Sequence, residues 1–322
     1  MVVPTYGRRA SLGRLLDALA AQQGPADFEV VVVDDGSMDD TRAWLRALRT
    51  PYALHVVEQA NGGPAAARNR GVVDALGELI IFLDDDVVPA ADLIAKHREA
   101  HRDWPDRVVT GPMLPPAKWR RPSWIRWEET KLVRQYDAMA AQRFECTYRQ
   151  FFTGNASLRR SHFLAAGGFD TDFRRAEDIE LGYRLARRGL RFVFEPSARA
   201  WHYPTRSFGA WRQTPYRYGR AEVAMHRDKG SNTLTIAYRE LQGRHMLSRT
   251  VVALCAGSHL RSRLAAAAFV GVVHAAGFLR AEKVASLSLS ALFNLLYWQG
   301  VHDELEGTPR QIDPTRAADP AS

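Results

Sequence analysis

The chain has 322 residues, 46% of them apolar and 25% charged, which is ordinary for a globular protein and leaves room for one large domain with an appendage or for two domains. Its two cysteines, Cys146 and Cys255, lie far apart without ligand-like spacing, so neither a disulfide framework nor a zinc site is suggested, which fits a reducing cytoplasm. The net charge of +8 is regional: residues 201–283 hold 13 Lys/Arg against 4 Asp/Glu, a surplus that can attract nucleic acid, anionic lipid or a phosphorylated substrate.

Val2 to Thr5 reads as a short strand entered at once, without the basic and apolar regions of a signal peptide, so secretion is not expected. Ser11 to Gln23 carries Leu12, Leu15, Leu16 and Leu19 at helical spacing, and Phe28 to Val33 is a β-branched run ending on Asp34 and Asp35. A second helix is expected over about 39–48, a third strand over 53–57, a third helix over 64–75 with Pro64 in its first turn, and a fourth strand over 79–83. This alternation predicts an α/β fold with a mostly parallel sheet covered on both faces.

After a helix over about 92–104 the pattern loosens into five prolines between Pro105 and Pro122, with Trp119, Trp124 and Trp127 among basic residues. The stretch reads either as a mobile loop beside a site or as a tryptophan-anchored surface excursion. Order returns from Gln150 to Leu158, a helix runs from about Glu177 to Arg188 and stops at Gly189, and Arg191 to Phe194 is a strand. From about Leu241 the composition turns helical, with an apolar run over 264–279 flanked by Arg261, Arg263, Arg280 and Lys283, and a more polar one over 284–301. Neither is a convincing membrane span; the alternatives are packing on the preceding domain and lying in the interface of an anionic membrane.

The apolar run Leu79 to Leu83 stops on Asp84, Asp85 and Asp86. Three adjacent carboxylates repel unless a positive group sits among them, and hard oxygen ligands favour Mg²⁺ or Mn²⁺ bridged to substrate phosphates. Open α/β sheets bind ligands at the carboxyl ends of their strands. The same rule draws attention to Pro4-Thr5-Tyr6, to Asp34-Asp35-Gly36-Ser37, and to the small-residue helix start after Asn61, where Arg68 suits phosphate.

Taken in order, VVPTYGR, EVVVVDDGSMDDT, NGGPAAARNRG, ELIIFLDDDV, FFTGNASLRRSHFLAAGGFD and AEDIELGYRLARRG closely resemble the family 2 glycosyltransferases of GT-A fold, over about residues 2–203. The resemblance implies a Rossmann-like, mostly parallel sheet flanked by helices, and an inverting, metal-dependent transferase. Such an enzyme moves a sugar from a nucleotide-sugar to a hydroxyl on a glycan or lipid-linked acceptor in cell-surface or exopolysaccharide synthesis. It implies a metal and diphosphate site at Asp84 and Asp86, with Asp85 between them, and Mg²⁺ or Mn²⁺ as cofactor. Asp86 is the expected direct ligand, Asp84 being nearer the ribose or the metal waters, and His202 matches a histidine that completes the metal shell in many such enzymes.

By the same resemblance Pro4, Thr5, Tyr6, Asp34 and Asp35 line the nucleoside pocket, Arg68 lies near base or phosphate, and Gly154 and Asn155 lie beside the donor sugar. Asp178 of the pair Glu177-Asp178 is then the catalytic base, and a first-turn position favours its ionised form. Family members usually have several residues before the first strand, so either that strand is short here or the start lies upstream. The expected organisation is a catalytic domain over residues 1–240, with its nucleotide-sugar half over about 1–110 and its acceptor half over about 111–240. A C-terminal helical extension over 241–305 and a disordered tail over 306–322 follow. The expected place is cytoplasmic, or peripheral on the inner face of the cell membrane; nucleic acid is not an expected partner, since no recognised motif accompanies the charge. A catalytically silent nucleotide-sugar or glycan-binding module on the same fold is the alternative.

Overall fold

The computed structural model describes residues 1–24, 27–173 and 175–307, and the expected disordered tail therefore lies, from residue 308, outside the described residues. Along the chain run β1 (Val2–Thr5), α1 (Arg9–Ala20), β2 (Glu29–Asp34), α2 (Thr41–Ala47), β3 (Ala53–Glu58), α3 (Pro64–Asp74), β4 (Leu79–Leu83) and β5 (Val87–Pro89). They are followed by α4 (Leu93–His101), β6 (Arg107–Thr110), β7 (Met113–Leu114), α5 (Ser123–Ala140), β8 (Asn155–Arg159), α6 (Arg160–Ala165), α7 (Glu177–Arg187), β9 (Arg191–Phe194) and β10 (Ala200–His202). Five helices complete the chain: α8 (Phe208–Lys229), α9 (Thr233–Gln242), α10 (Met246–Cys255), α11 (His259–Phe278) and α12 (Glu282–Leu305).

Two compact units divide these elements. The first comprises residues 1–119 and 131–204. Its seven-stranded sheet has the order β3-β2-β1-β4-β8-β6-β9, parallel except for β8, which runs against both β4 and β6. A smaller sheet, β5-β10-β7, pairs β10 antiparallel to β5 and parallel to β7.

Alternation along the buried strands fills both faces of the large sheet. Val2, Val31, Val33, Ile80 and Phe82 pack with α3, α6 and α7, whereas Val3, Val30, Val32, Ile81 and Leu83 pack with α1 and α4. The leucines expected on one face of α1, Leu12, Leu15, Leu16 and Leu19, are all buried there. The strand expected over 79–83 is β4, and Asp84, Asp85 and Asp86 follow it at the carboxyl edge.

The Pro/Trp-rich stretch departs from the loop expectation: it contains β6, β7 and the start of α5. Trp124 and Trp127 belong to the second unit, where Trp127 lies edge-on to Trp211 and Trp124 stacks on Phe208. Tryptophans that bury this much area act as packing anchors.

The second unit comprises residues 120–130 and the helices from residue 205. The division between the units falls at Pro204, and α8 packs along α12 within the second. Their backbones meet at two glycines: a Cβ on Gly219 would lie 2.0 Å from the Tyr297 carbonyl oxygen, and one on Gly300 would lie 2.1 Å from that of Tyr216. Leu289, Leu292, Leu295, Trp298 and Val301 of α12 are buried, so this helix, long and apolar enough by composition to cross a membrane, is the core of its unit.

Candidate active site

The carboxyl ends of β1, β2 and β4, the start of α3 and the start of α7 converge on one acidic site. Parallel pairing sets Thr5 beside Asp34, and Val2 beside Phe82, which brings the residues after β1 next to the triplet after β4. Thr5 Oγ1 donates to Asp85 Oδ2 at 2.8 Å, and Arg8 Nη1 lies 3.1 Å from both Asp85 Oδ1 and Asp86 Oδ2. The positive group that three adjacent acids demand is therefore present within the chain: Arg8 closes the VVPTYGR motif, but no spacing in the sequence links it to the triplet. Burial pushes the Asp85 carboxyl up to about 6, opposed by the Arg8 charge.

Asp84 points the other way. Arg68 Nη2 donates to Asp84 Oδ1 at 2.6 Å and Nη1 to Glu177 Oε1 at 3.1 Å, so one guanidinium, only 5% exposed, joins the end of β4 to the first turn of α7. Its ring neighbour is Phe169, with Cζ 5.7 Å from the centroid. Gly154 permits the approach of β8, since a Cβ there would meet Met113 Sδ at 2.5 Å and Asp84 Oδ2 at 3.1 Å.

Asp86 reaches His202 through the small sheet. Antiparallel pairing of β10 with β5 sets His202 opposite Val87, the residue after Asp86, and places His202 Nε2 3.5 Å from Asp86 Oδ1. Among the described residues no group of three or more His, Cys, Asp or Glu side chains is placed to hold one metal ion. Asp84, the other expected metal ligand, is paired with Arg68.

The paired aspartates after β2 brace loops. Asp34, fully buried, accepts from Ser37 N at 2.9 Å and Arg42 Nε at 2.5 Å. Asp35, 4% exposed, accepts from Gln59 Nε2 at 2.7 Å and from Gly62 N and Gly63 N, each at 2.8 Å. Gly36 turns between them with φ +94°, where a side chain is strained and would also meet Asn61 N at 2.9 Å. Pro4 and Tyr6 are half-buried at the same edge.

Asn155, expected beside a donor sugar, is held by its own hydrogen bonds. It is fully buried, with Nδ2 donating to the Ala198 carbonyl at 2.8 Å and to that of Pro112 at 3.3 Å. Its Oδ1 is 2.9 Å from His97 Nε2, and His97 Nδ1 is 2.8 Å from Ser157 Oγ. Burial holds the His97 imidazole down at about 4, so it is a neutral brace. No spacing in the sequence links His97 to Asn155.

Asp178 is half-buried in the first turn of α7, with Oδ1 accepting from Ile179 N at 2.8 Å. Desolvation, reinforced by the charge of Glu177, pushes its carboxyl up to about 7. The helix-terminal position expected to keep it ionised is outweighed by loss of water. Ala176, just before the pair, has φ 60°, a left-handed conformation that costs a non-glycine residue about 1 kcal/mol. Behind the pair, Glu180 is fully buried and takes both Arg184 Nε at 2.7 Å and Nη2 at 2.5 Å, while Arg184 Nη2 also donates to the Gly168 carbonyl at 2.6 Å. The first turn of α7 is thereby fastened to the loop before it.

A family model described as "Glycosyl transferase family 2" matches residues 1–165, half of the chain. The chain belongs to this family. The validoxylamine A glucosyltransferase of Streptomyces hygroscopicus subsp. limoneus is 36% identical over 217 residues, which cover 59% of this chain and 48% of that protein. An uncharacterized glycosyltransferase of Bacillus subtilis, YfnE, is 28% identical over 244 residues, covering 60% of this chain and 61% of YfnE. The chain spans about half the length of the first of these relatives. Among solved structures, the mannosyltransferase PcManGT from Pyrobaculum calidifontis, in complex with GDP-Man and Mn²⁺, superposes with a TM-score of 0.57 at 24% identity, over 95% of this chain and 86% of that one. This likeness shows a shared GT-A fold.

Proposed function

We propose that the chain is an inverting glycosyltransferase that moves a sugar from a nucleotide-diphosphate sugar to a hydroxyl of a glycan or lipid-linked acceptor, in the cytoplasm. The observation that carries this reading is the position of Asp178: a carboxylate poised near neutrality, on the same guanidinium-linked frame as the acidic triplet. A general base works best when its pKa lies near the working pH. Asp178 takes the proton of the acceptor hydroxyl as that oxygen forms its bond to the anomeric carbon. The bond from that carbon to the diphosphate breaks on the opposite face, and its electron pair leaves with the diphosphate. Glu177 holds Arg68 in place, and Arg68 supplies positive charge near the phosphates.

Asp86 and His202 fit a divalent ion that arrives with its diphosphate, since magnesium is commonly held by one or two protein ligands with phosphate oxygens and waters completing the shell. When bound, Mg²⁺ or Mn²⁺ supplies positive charge to the departing diphosphate. Thr5, Asp34, Asp35 and the half-buried Pro4 and Tyr6 frame the nucleoside side, and Gly154 lets β8 approach Asp84 beside the donor. The related glucosyltransferase and the Mn²⁺ complex of the mannosyltransferase support this reading.

The test is a hydrolysis screen of nucleotide-sugars with Mg²⁺ or Mn²⁺, comparing wild type with Asp86→Ala. Release of nucleoside diphosphate from at least one donor, abolished by chelation and by the substitution, supports the reading. Release that persists in both cases contradicts the metal assignment.

A further inference from the structure

The two C-terminal apolar runs have different fates. Those of α12 are buried, but α11 buries only one side, where Ala266, Phe269, Val270 and Val273 pack against Trp127, Phe208, Trp211, Leu289 and Leu292. Its other side is exposed along its whole length and is apolar apart from His274. Leu260, Leu264, Val272 and Phe278 are 70%, 64%, 41% and 89% exposed, and Ala267, Ala268, Gly271 and Ala275 lie between them on the same face. Residues four, four, three, four and three apart, from Leu260 through 264, 268, 271 and 275 to Phe278, form one stripe on a helix. At 1.5 Å per residue it is about 30 Å long.

Basic residues stand at both ends. Arg261 and Arg263 are exposed at the start of the stripe, and Arg280 and Lys283 at its end. Residues 246–284 hold five basic residues and one acid, Glu282. A second copy of this helix, packed in either direction, sets arginine against arginine or lysine, so the charge pattern opposes self-association. The middle of the stripe is flat, built of alanine and glycine, and offers no large anchor of the kind that carries most protein interfaces. An apolar stripe with cations at both ends matches a bilayer surface, with the stripe at the acyl boundary and both ends at one layer of anionic headgroups.

We propose that the exposed face of α11 docks the protein, in the plane of the interface, on an anionic lipid bilayer. The inference stands on the C-terminal unit alone. If transfer holds as well, it narrows the acceptor to one presented at a membrane.

The full chain is co-sedimented with vesicles of phosphatidylcholine, with and without about one third phosphatidylglycerol, at low and high salt. The expected result is salt-sensitive binding to the anionic vesicles, weakened about tenfold by Leu264→Glu with Phe278→Glu and also weakened by Arg261→Gln with Arg263→Gln. Both variants keep the wild-type melting temperature and rate of donor hydrolysis in solution, which separates docking from chemistry. Equal binding of the glutamate variant, no binding by wild type, or a dimer that the glutamate substitutions dissociate would overturn the proposal, the last by giving the face to a second copy.

Discussion

Arg68 Nη2 donates to Asp84 Oδ1 at 2.6 Å, fastening the second turn of α3 to the end of β4. Because the same guanidinium also holds Glu177, removing it leaves the partly exposed Asp84 and the largely buried Glu177 without their shared cation.

Arg68→Ala is therefore expected to cost about 3 kcal/mol, the range for breaking a buried pair by deleting one partner. The urea midpoint falls while the slope stays that of the wild type. Donor turnover falls by more than tenfold, and Arg68→Lys restores charge but not the two-pronged contact.

As the proposed base, Asp178 is expected to couple activity to pH while opposing stability. With its carboxyl raised to about 7 from an ordinary 3.8, the folded state binds an extra proton between those values. The stability from this group is complete below the unfolded value and is lost as pH rises through about 7. Activity runs the other way, because a base must be ionised, so kcat rises through the same region. Asp178→Asn is expected to raise the melting temperature at pH 8 and to lower turnover by about 10² to 10⁴. A calorimetric scan of both proteins at pH 5 and pH 8 checks the sign: the gain is larger at the higher pH.

Asn155 makes the contrasting prediction. Its amide satisfies two carbonyls and a buried imidazole, so Asn155→Ala costs about 2 kcal/mol by leaving them unpaired. Turnover per folded molecule falls far less than for Asp178→Asn, which kinetics below the melting transition resolve.

In the C-terminal unit, Gly219→Ala and Gly300→Ala each drive a methyl group into a facing carbonyl. Each is expected to cost about 1 to 3 kcal/mol, with the helices forced apart. Limited proteolysis within α8 and α12 reads the loss.

The strand ends were legible because buried parallel strands announce themselves: β1, β4 and β9 run over the residues that the β-branched and apolar runs mark, and the acids follow where those runs stop. Family motifs supplied the roles expected of Asp86, Asp178 and His202, which single carboxylates and a lone histidine do not carry by themselves. Prolines hid β6, β7 and the start of α5, since they break the periodicity by which a segment is read, although two-residue β7 needs only its partner β10 to exist. Arg8, Arg42 and His97 were illegible for another reason. Arg8 and His97 act on residues distant in sequence, Asp85 and Asn155, and Arg42 reaches back from α2 to Asp34, so each pairing belongs to the fold rather than to a local pattern. Asn155 was marked by its motif, whereas its bond to His97 was not.

The central claim is that Asp178 serves as the base in sugar transfer from a nucleotide-sugar. It is tested most directly by measuring nucleoside diphosphate release with the preferred donor and Mn²⁺, for wild type and Asp178→Asn, alongside donor binding by calorimetry. The account predicts equal donor affinity and a loss of turnover of about 10² or more in the variant. Equal turnover in the two proteins contradicts the base assignment. Donor binding without release in wild type gives the fold to a binding module instead.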